Sequence, residues 1–302
     1  MTGNISQAIL ERDLDSLPQL KGSVLEGRGL RSRIYTGITW LLAILAAFPL
    51  FSVLYMLIAK GGARINWETL TELPPSAFEV GGGIGPAIVG TGVMVGIGAA
   101  ISIPIGILAA IYLAEIDPHA KLAQIARFLA KVLTGFPSIL AGVFVYASLV
   151  VAMKSYSAWA GGIALAVLML PTVILTAEEA LKQVPQKMKD AAYGMGCTRA
   201  QVISKVTLPT GMPGVITGVL LAVAGAAGES APLLFTALFS TYYINGWEGL
   251  SEPTSSLSIL IYNFSGMPYD NQIELAWTAS LVLVLIILLF NILARVLGRQ
   301  KF

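Results

Sequence analysis

One acidic side chain, Glu229, stands within a long apolar stretch and marks the first candidate site. Residues 225–232 are nearly all small, and the string ends in Pro232. An unpaired carboxylate inside a bilayer costs on the order of 2.5 kcal/mol or more, so Glu229 is expected to face protein or water. Small residues let helices approach closely, and proline frees a backbone carbonyl. Glu229, Ser230 and Pro232 are therefore candidates for a transport pathway or gate; a hydrogen bond that only joins two helices is the alternative.

A second candidate site is the break in pattern at Thr134, Pro137 and Ser138. Before it, residues 122–133 place Leu, Ile and Val on one helical face and Arg127 on the other. Such an amphipathic helix is expected to lie along the inner membrane surface. The helix that begins after Pro137 offers free backbone N–H groups and a positive dipole end, which suit an anion. An ordinary helix start explains the same residues equally well.

Several kinds of chemistry are excluded by what the chain lacks. No Gly-Lys pair occurs anywhere, so there is no phosphate-binding loop of the form G-x-x-x-x-G-K-[ST]. Cys197 is the only cysteine, and it has no neighbouring thiol or imidazole that would complete a metal site. We therefore expect no catalytic residue, no metal, no internal disulfide and no cofactor bound by this chain.

The composition is typical of a membrane protein. Of the 302 residues 56% are apolar and 12% are charged, whereas about 25% are charged in an ordinary soluble domain. The predicted fold is an all-α integral membrane protein whose six transmembrane helices each cross a hydrocarbon core about 30 Å thick. The predicted spans are Tyr35–Ala59, Pro86–Leu113, Pro137–Met153, Ala158–Thr176, Met212–Phe239 and Trp277–Leu297.

The basic residues predict the orientation of these spans. Sixteen of the nineteen Lys and Arg residues fall on one side if the spans alternate, and basic residues are retained in the cytoplasm, so both termini are predicted to be cytoplasmic. The net charge of +2 then reflects topology, and no nucleic-acid binding is expected. A long polar segment precedes the first span, so no cleavable signal peptide is expected. The predicted segments are a cytoplasmic N-terminal segment (1–34), a first span (35–60) and a core (84–298) that contains a cytoplasmic loop (178–209) and an extracytoplasmic loop (240–275).

The 178–209 loop is predicted to contain two short helices separated by glycine. Gln186–Tyr193 forms the first, and Gly194 and Gly196 supply the stop. Thr198 begins a capping box for the second, and Pro209 is expected to end that helix and to begin the fifth span. The apolar side of such a pair must be buried. It packs either against the protein's own spans or against a cytoplasmic partner, and the tether to the bilayer at both ends disfavours DNA binding.

The same loop resembles the signature of ABC-importer permeases, E-A-A-x3-G-x9-I-x-L-P. The matching residues are Asp190, Ala191, Ala192, Gly196, Val206, Leu208 and Pro209. Asp and Val stand where the family usually has Glu and Ile. The resemblance implies a type I importer permease fold, in which this loop sits in a cleft of a separate ATPase subunit and transmits its closure to the spans. ATP and Mg²⁺ are then used by that partner.

Two intramembrane strings are similar to those of A-type permeases of phosphate importers. Residues 133–142 resemble T-G-x-P-S-I-x-x-G, and residues 228–234 resemble G-E-[ST]-A-P-L-L. The resemblance implies a bacterial inner-membrane complex with a C-type second permease, two copies of an ATPase and an extracytoplasmic phosphate-binding protein. Family members often carry Arg where this chain has Gly225 and Leu175, so the obvious charge partner for Glu229 and for an anion is missing from this chain. The second permease is one source that could supply it.

Three other functions remain open from the sequence. A permease for sulfate, molybdate or phosphonate would have a similar docking loop. An ion-driven secondary transporter would usually show internal repeats with paired broken helices, and a scaffold or sensor would leave Glu229 and Pro232 unexplained. Only the two intramembrane strings favour phosphate over the other oxyanions. As a hypothesis for the role of Glu229, hydrogen phosphate can donate its proton in a hydrogen bond to the carboxylate, whereas sulfate at neutral pH has no proton to donate.

Overall fold

The structure is a computed structural model that describes residues 27–298, and the chain divides into two compact units, Met1–Tyr55 and Met56–Phe302. The first unit contains helix α1 (Gly27–Met56) up to its last residue but one, and most of the helix's described side chains are exposed. Residues 27–34, predicted to belong to the cytoplasmic N-terminal segment, are helical, so the helix that carries the predicted first span begins before Tyr35. The remainder of that predicted segment lies outside the described residues.

The second unit holds the other helices of the described chain. They are α2 (Trp67–Thr71), α3 (Gly85–Ile111), α4 (Lys121–Thr134), α5 (Ser138–Val145), α6 (Val151–Met153), α7 (Ala158–Lys182), α8 (Gln186–Gly194), α9 (Arg199–Val202), α10 (Leu208–Ala227), α11 (Ala231–Thr236), α12 (Leu257–Ser265) and α13 (Asp270–Leu297). Four π-helical turns (Leu57–Gly61, Tyr112–Ile116, Tyr146–Val150, Ile203–Thr207) and two 3₁₀ turns (Gly62–Arg64, Glu248–Ser251) adjoin them. No β-strand occurs within residues 27–298, which confirms the all-α prediction.

Five helical segments are long and apolar enough to cross a membrane, and a bent pair supplies a sixth. The five are Gly29–Arg64, Gly85–Ile116, Ala158–Lys182, Arg199–Ala227 and Asp270–Leu297. The bent pair is Lys121–Thr134 with Ser138–Met153, at 106° to each other. The bend coincides with the break predicted at Pro137, because proline disfavours an α conformation in the preceding residue and lacks an N–H.

The predicted fifth span, Met212–Phe239, is not a single helix. Gly228 and Glu229 donate their backbone N–H groups to carbonyls three residues back (3.1 and 3.2 Å), which tightens the last turn of α10 and ends it. Pro232 then falls in the first turn of α11, where its missing N–H costs nothing. The intramembrane Glu229 therefore lies in a break between two helices.

Pro209 lies at the start of the helix of the fifth span, as predicted, but the prediction that it ends the helix before it is wrong. The chain stays helical from α9 through the turn Ile203–Thr207 into α10, and Pro209 occupies the first turn of α10. A π-helical turn shifts the hydrogen-bond pairing by one residue, so Pro209, two residues after the turn, is tolerated in the helix.

The core of the second unit forms where α3 packs along α7. Glycine permits the close approach: a Cβ on Gly162 would lie 2.5 Å from Cγ2 of Ile97, and one on Gly106 would lie 2.6 Å from Cγ1 of Val173. α10 packs on α7, and α13 packs on α10. This scaffold positions the C-terminal end of α10, where Glu229 lies.

Polar contacts near the two ends of α3 show where the loops lie. Beside its first residue, the Tyr243 hydroxyl donates to the carbonyl of Thr71 (2.5 Å). Just beyond its last residue, Lys189 of α8 pairs with Glu115 (2.5 Å). The structure therefore places the 178–209 loop and the 240–275 loop at opposite ends of α3, as the predicted topology requires.

Candidate translocation site and coupling loop

Glu229 is half-buried at the edge of a cavity of 660 Å³ between α5, α10 and α13. Ligand pockets are typically about 300–1,000 Å³, so this cavity is large enough for a small solute. Its polar lining consists of Ser138, Glu229, Ser230 and Asn291. The structure thus brings together three residues that the sequence placed in two separate candidate sites.

The chemistry of this lining suits an oxyanion that still carries a proton. The two hydroxyls and the carboxamide each have donor and acceptor capacity, and the carboxylate of Glu229 accepts only. No cationic side chain lines this cavity within the described part of the chain. The described residues thus offer an anion hydrogen-bond donors in this cavity but no positively charged side chain.

The break that carries Glu229 is held from two sides. The hydroxyl of Ser258, on α12, donates to the backbone carbonyl of Glu229 (2.9 Å). On the other side, Pro232 is buried against Gly142 of α5, where a Cβ on the glycine would lie 2.6 Å from Cα of the proline. The two strings that resembled one family are therefore packed directly against each other.

Thr134 and Pro137 do not line the Glu229 cavity. Both are exposed, and the Thr134 hydroxyl donates to the carbonyl of Lys131 on its own helix (2.7 Å). Only Ser138, the first residue of α5, reaches the cavity. The bend sets the direction of α5, so that Ser138 and Gly142 lie beside the break after α10.

The two positions where this chain lacks an expected arginine both border cavities. Gly225 lines the Glu229 cavity, and a Cβ placed on it would meet nothing within 4 Å. Leu175 lines a different cavity of 550 Å³ that also includes Arg127, Lys131 and Lys182. Gly225 therefore has open space around it beside the carboxylate of Glu229, whereas Leu175 lies among basic side chains.

Asn291 was not singled out from the sequence, although it lines the cavity. The signal was present, because Asn291 is the one carboxamide between Trp277 and Leu297, in a largely apolar span. Its Nδ2 donates to the carbonyl of Ile287 (2.8 Å), which is one turn earlier in α13. One amide hydrogen and the side-chain oxygen remain available.

The 178–209 loop has the predicted helix–glycine–helix form. Gly196 adopts a positive φ of 82°, which glycine does at no steric cost, and the capping box between Thr198 and Gln201 is formed in both directions. Of the signature residues, Ala192 is buried, Val206 and Leu208 are half-buried, and Asp190, Ala191, Gly196 and Pro209 are exposed. The apolar side chain of Met195 is 79% exposed, so this loop presents an uncovered surface.

Both helices of this loop contact the π-helical turn that follows α3. Lys189 of α8 forms a buried ion pair with Glu115 (2.5 Å), in the π-helical turn Tyr112–Ile116. Arg199, the first residue of α9, donates to the carbonyl of Glu115 (3.1 Å from Nε) and to that of Ile116. A displacement of the loop therefore acts directly on α3.

A second buried carboxylate joins α7 to the amphipathic helix α4. Glu178 accepts from Arg127 (2.7 Å) and from Lys182 (2.5 Å), and its side chain is 4% exposed. The Arg127 guanidinium also donates to the carbonyl of Leu113 at the end of α3 (3.3 Å). This cluster fixes α4 against the same end of the spans that carries the 178–209 loop.

Comparison with known proteins identifies the family. Residues 102–301 match the family described as binding-protein-dependent transport system inner membrane component. The chain belongs to this family. It is a multi-pass inner-membrane component of a transport system, as the signature loop and the apolar spans predicted.

Individual relatives agree over nearly the whole chain. The phosphate transport system permease protein PstA of Yersinia pestis is 38% identical over 91% of this chain and 92% of its own length. The PstA protein of Pasteurella multocida is also 38% identical, over 91% of this chain and 96% of its own. A chain of the MetNI methionine ABC transporter, in an inward facing conformation, superposes with a TM-score of 0.54 at 20% identity, covering 71% of this chain and 94% of that one. The predicted permease fold is confirmed by this likeness.

Proposed function

We propose that this chain is a permease subunit of an ATP-driven importer of inorganic phosphate. The observation that carries the proposal is the 38% identity over 91% of the chain with a protein named as a phosphate transport permease. The Glu229 cavity supports it, because its carboxylate, hydroxyls and carboxamide match a protonated oxyanion.

The other subunits of the proposed importer are separate chains. We propose a C-type second permease that completes the pathway, two copies of an ATPase that use ATP and Mg²⁺, and an extracytoplasmic phosphate-binding protein. The exposed surface of the 178–209 loop supports docking of the ATPase, and the absence of a phosphate-binding loop in the sequence supports hydrolysis by another chain. Asp190, Ala191, Ala192, Gly196, Val206, Leu208 and Pro209 are then the coupling residues.

Within the pathway, Glu229 acts as the acceptor for the proton of hydrogen phosphate. A charged acceptor strengthens such a hydrogen bond, and fully ionised sulfate cannot make it. Ser138 and Ser230 provide hydroxyl donors at the same cavity. Pro232 and Gly142 keep the break in place by direct contact, while Thr134 and Pro137 set the bend that presents Ser138.

The assignment is tested by isolating the complex from native membrane and measuring ATP hydrolysis and uptake in proteoliposomes. We expect an ATPase to co-purify, and hydrolysis to be stimulated by the phosphate-loaded binding protein and not by sulfate. Purification of this chain without a bound ATPase would refute the importer assignment. Stimulation of ATP hydrolysis by sulfate or molybdate would reassign the substrate.

The role of Glu229 is tested separately with Glu229→Gln, using Glu248→Gln in the outer loop as the matched control. Loss of a charge-assisted hydrogen bond is expected to lower phosphate uptake about tenfold and to weaken discrimination against sulfate. Unchanged uptake and discrimination in Glu229→Gln would remove Glu229 from the mechanism while leaving the importer assignment standing.

A further inference from the structure

A second cavity lies beside the Glu229 cavity and shares lining residues with it. It has a volume of 560 Å³, and the two share Leu221 of α10 and Asn291 of α13. Thr217 and Arg295 complete the polar lining of the second cavity. The two cavities therefore lie side by side along α13, from Glu229 toward the C-terminal end of the helix, and we call this pair of cavities the track.

The direction of this track is set by neighbouring contacts. A Cβ on Gly298, just after α13, would lie 3.2 Å from the carbonyl of Pro213, in the second turn of α10. The start of α10 follows directly on the 178–209 loop. The track thus runs toward the end of the spans that carries this loop, which is the exit side for an imported solute.

The polar groups along the track have unused hydrogen-bonding capacity. Asn291 and Arg295 are one helical turn apart and project from the same face of α13. Arg295 forms no salt bridge with any carboxylate in residues 27–298. Asn291 borders both cavities and keeps one amide hydrogen free. The Thr217 hydroxyl is oriented by the carbonyls of Pro213 (2.9 Å) and Ala294 (3.3 Å) and can still accept a hydrogen bond.

Contact with lipid does not explain this face. Asn291 is exposed on a helix apolar enough to span a membrane, and Glu229 is only half-buried beside it. Polar side chains within a span are expensive against hydrocarbon and normally face a bundle interior or a water-filled cavity. This surface is therefore expected to be hydrated in the assembled transporter.

We propose that Thr217, Asn291 and Arg295 form an exit subsite for a phosphoryl oxyanion, occupied by inorganic phosphate after it leaves Glu229. The inference rests on the proposed phosphate importer and extends it. Arg295 supplies the positive charge that the Glu229 cavity lacks, the free amide hydrogen of Asn291 donates to the anion in either cavity, and Thr217 accepts from its protonated oxygen.

The test uses the whole importer in phosphatidylcholine nanodiscs, with inorganic phosphate as the probe and without the binding protein. Binding is followed by broadening of the ³¹P resonance per recovered complex, and ATP-driven phosphate uptake is measured in matching proteoliposomes. Arg295→Gln is expected to lower both about tenfold, the loss expected for one charge-assisted hydrogen bond, while Arg295→Lys retains most of each. Lys121→Gln removes a positive charge at the exposed start of α4 and is expected to match the wild type.

Three results would overturn the subsite. The first is that Arg295→Gln binds and transports phosphate as well as the wild type does. The second is that Arg295→Lys loses as much phosphate binding and uptake as Arg295→Gln, although it keeps the charge. The third is that Arg295→Gln is defective only when the assays are repeated in bilayers with an anionic phospholipid, which would identify a lipid headgroup as the ligand. Failure of the wild-type importer to take up phosphate would instead contradict the proposed function itself.

Discussion

The ion pair between Glu115 and Lys189 provides the sharpest test of how the 178–209 loop is coupled to the spans. The two side chains are 8% and 10% exposed and lie 2.5 Å apart. Glu115→Gln keeps the shape of the side chain and leaves the ammonium of Lys189 buried without a counter-charge. Breaking one partner of a buried pair costs about 3–5 kcal/mol. Because Arg199 still holds the carbonyls of Glu115 and Ile116, we expect the loop to loosen locally and the fold to persist.

The assay compares ATP hydrolysed with phosphate transported by the reconstituted importer, together with hydrogen exchange of residues 186–202. We expect Glu115→Gln to raise the ATP consumed per phosphate and to speed exchange, and Lys189→Met to do the same. Lys187→Met, on the same helix but exposed, is the matched control and should have little effect. The double variant Glu115→Gln/Lys189→Met should be milder than the sum of the single variants, since neither charge is left alone. Additive losses, or a Lys187→Met variant as defective as Glu115→Gln, would refute the reasoning.

Other predictions concern the break after α10 and the loop. Gly142→Ala should destabilise the protein by about 1–3 kcal/mol, because the added Cβ would lie 2.6 Å from Cα of Pro232. The thermal unfolding midpoint measures this loss of stability, and an unchanged midpoint would contradict the contact. Thr198→Ala should cost about 1 kcal/mol of local stability by removing the helix cap, and faster hydrogen exchange confined to α9 would confirm it. Gly225→Arg should assemble normally, since its Cβ has open space, and should strengthen phosphate binding beside Glu229 about tenfold. Binding measured by ³¹P resonance broadening that is weaker than in the wild type would contradict the last prediction.

Elements determined by local pattern were predictable from the sequence. The spans follow from charge-free apolar stretches, and the two helices of the 178–209 loop follow from Gly196 and the Thr198 capping box, because these signals act within a few residues of the chain. The bend at Pro137 follows for the same reason. Boundaries were less accurate where a helix end depends on alternative hydrogen bonding, as at Pro209, where a π-helical turn carries the helix through the proline.

By itself the sequence determined a membrane fold, a loop shaped for a partner and an intramembrane carboxylate, since hydropathy, turn chemistry and charge placement are local properties. Only the tertiary structure decided which distant residues share a cavity. It placed Ser138 and Asn291 beside Glu229, packed Gly142 against Pro232 and joined Lys189 to Glu115. Contacts between residues far apart in the chain depend on helix crossing and side-chain volume, which no short stretch of sequence specifies.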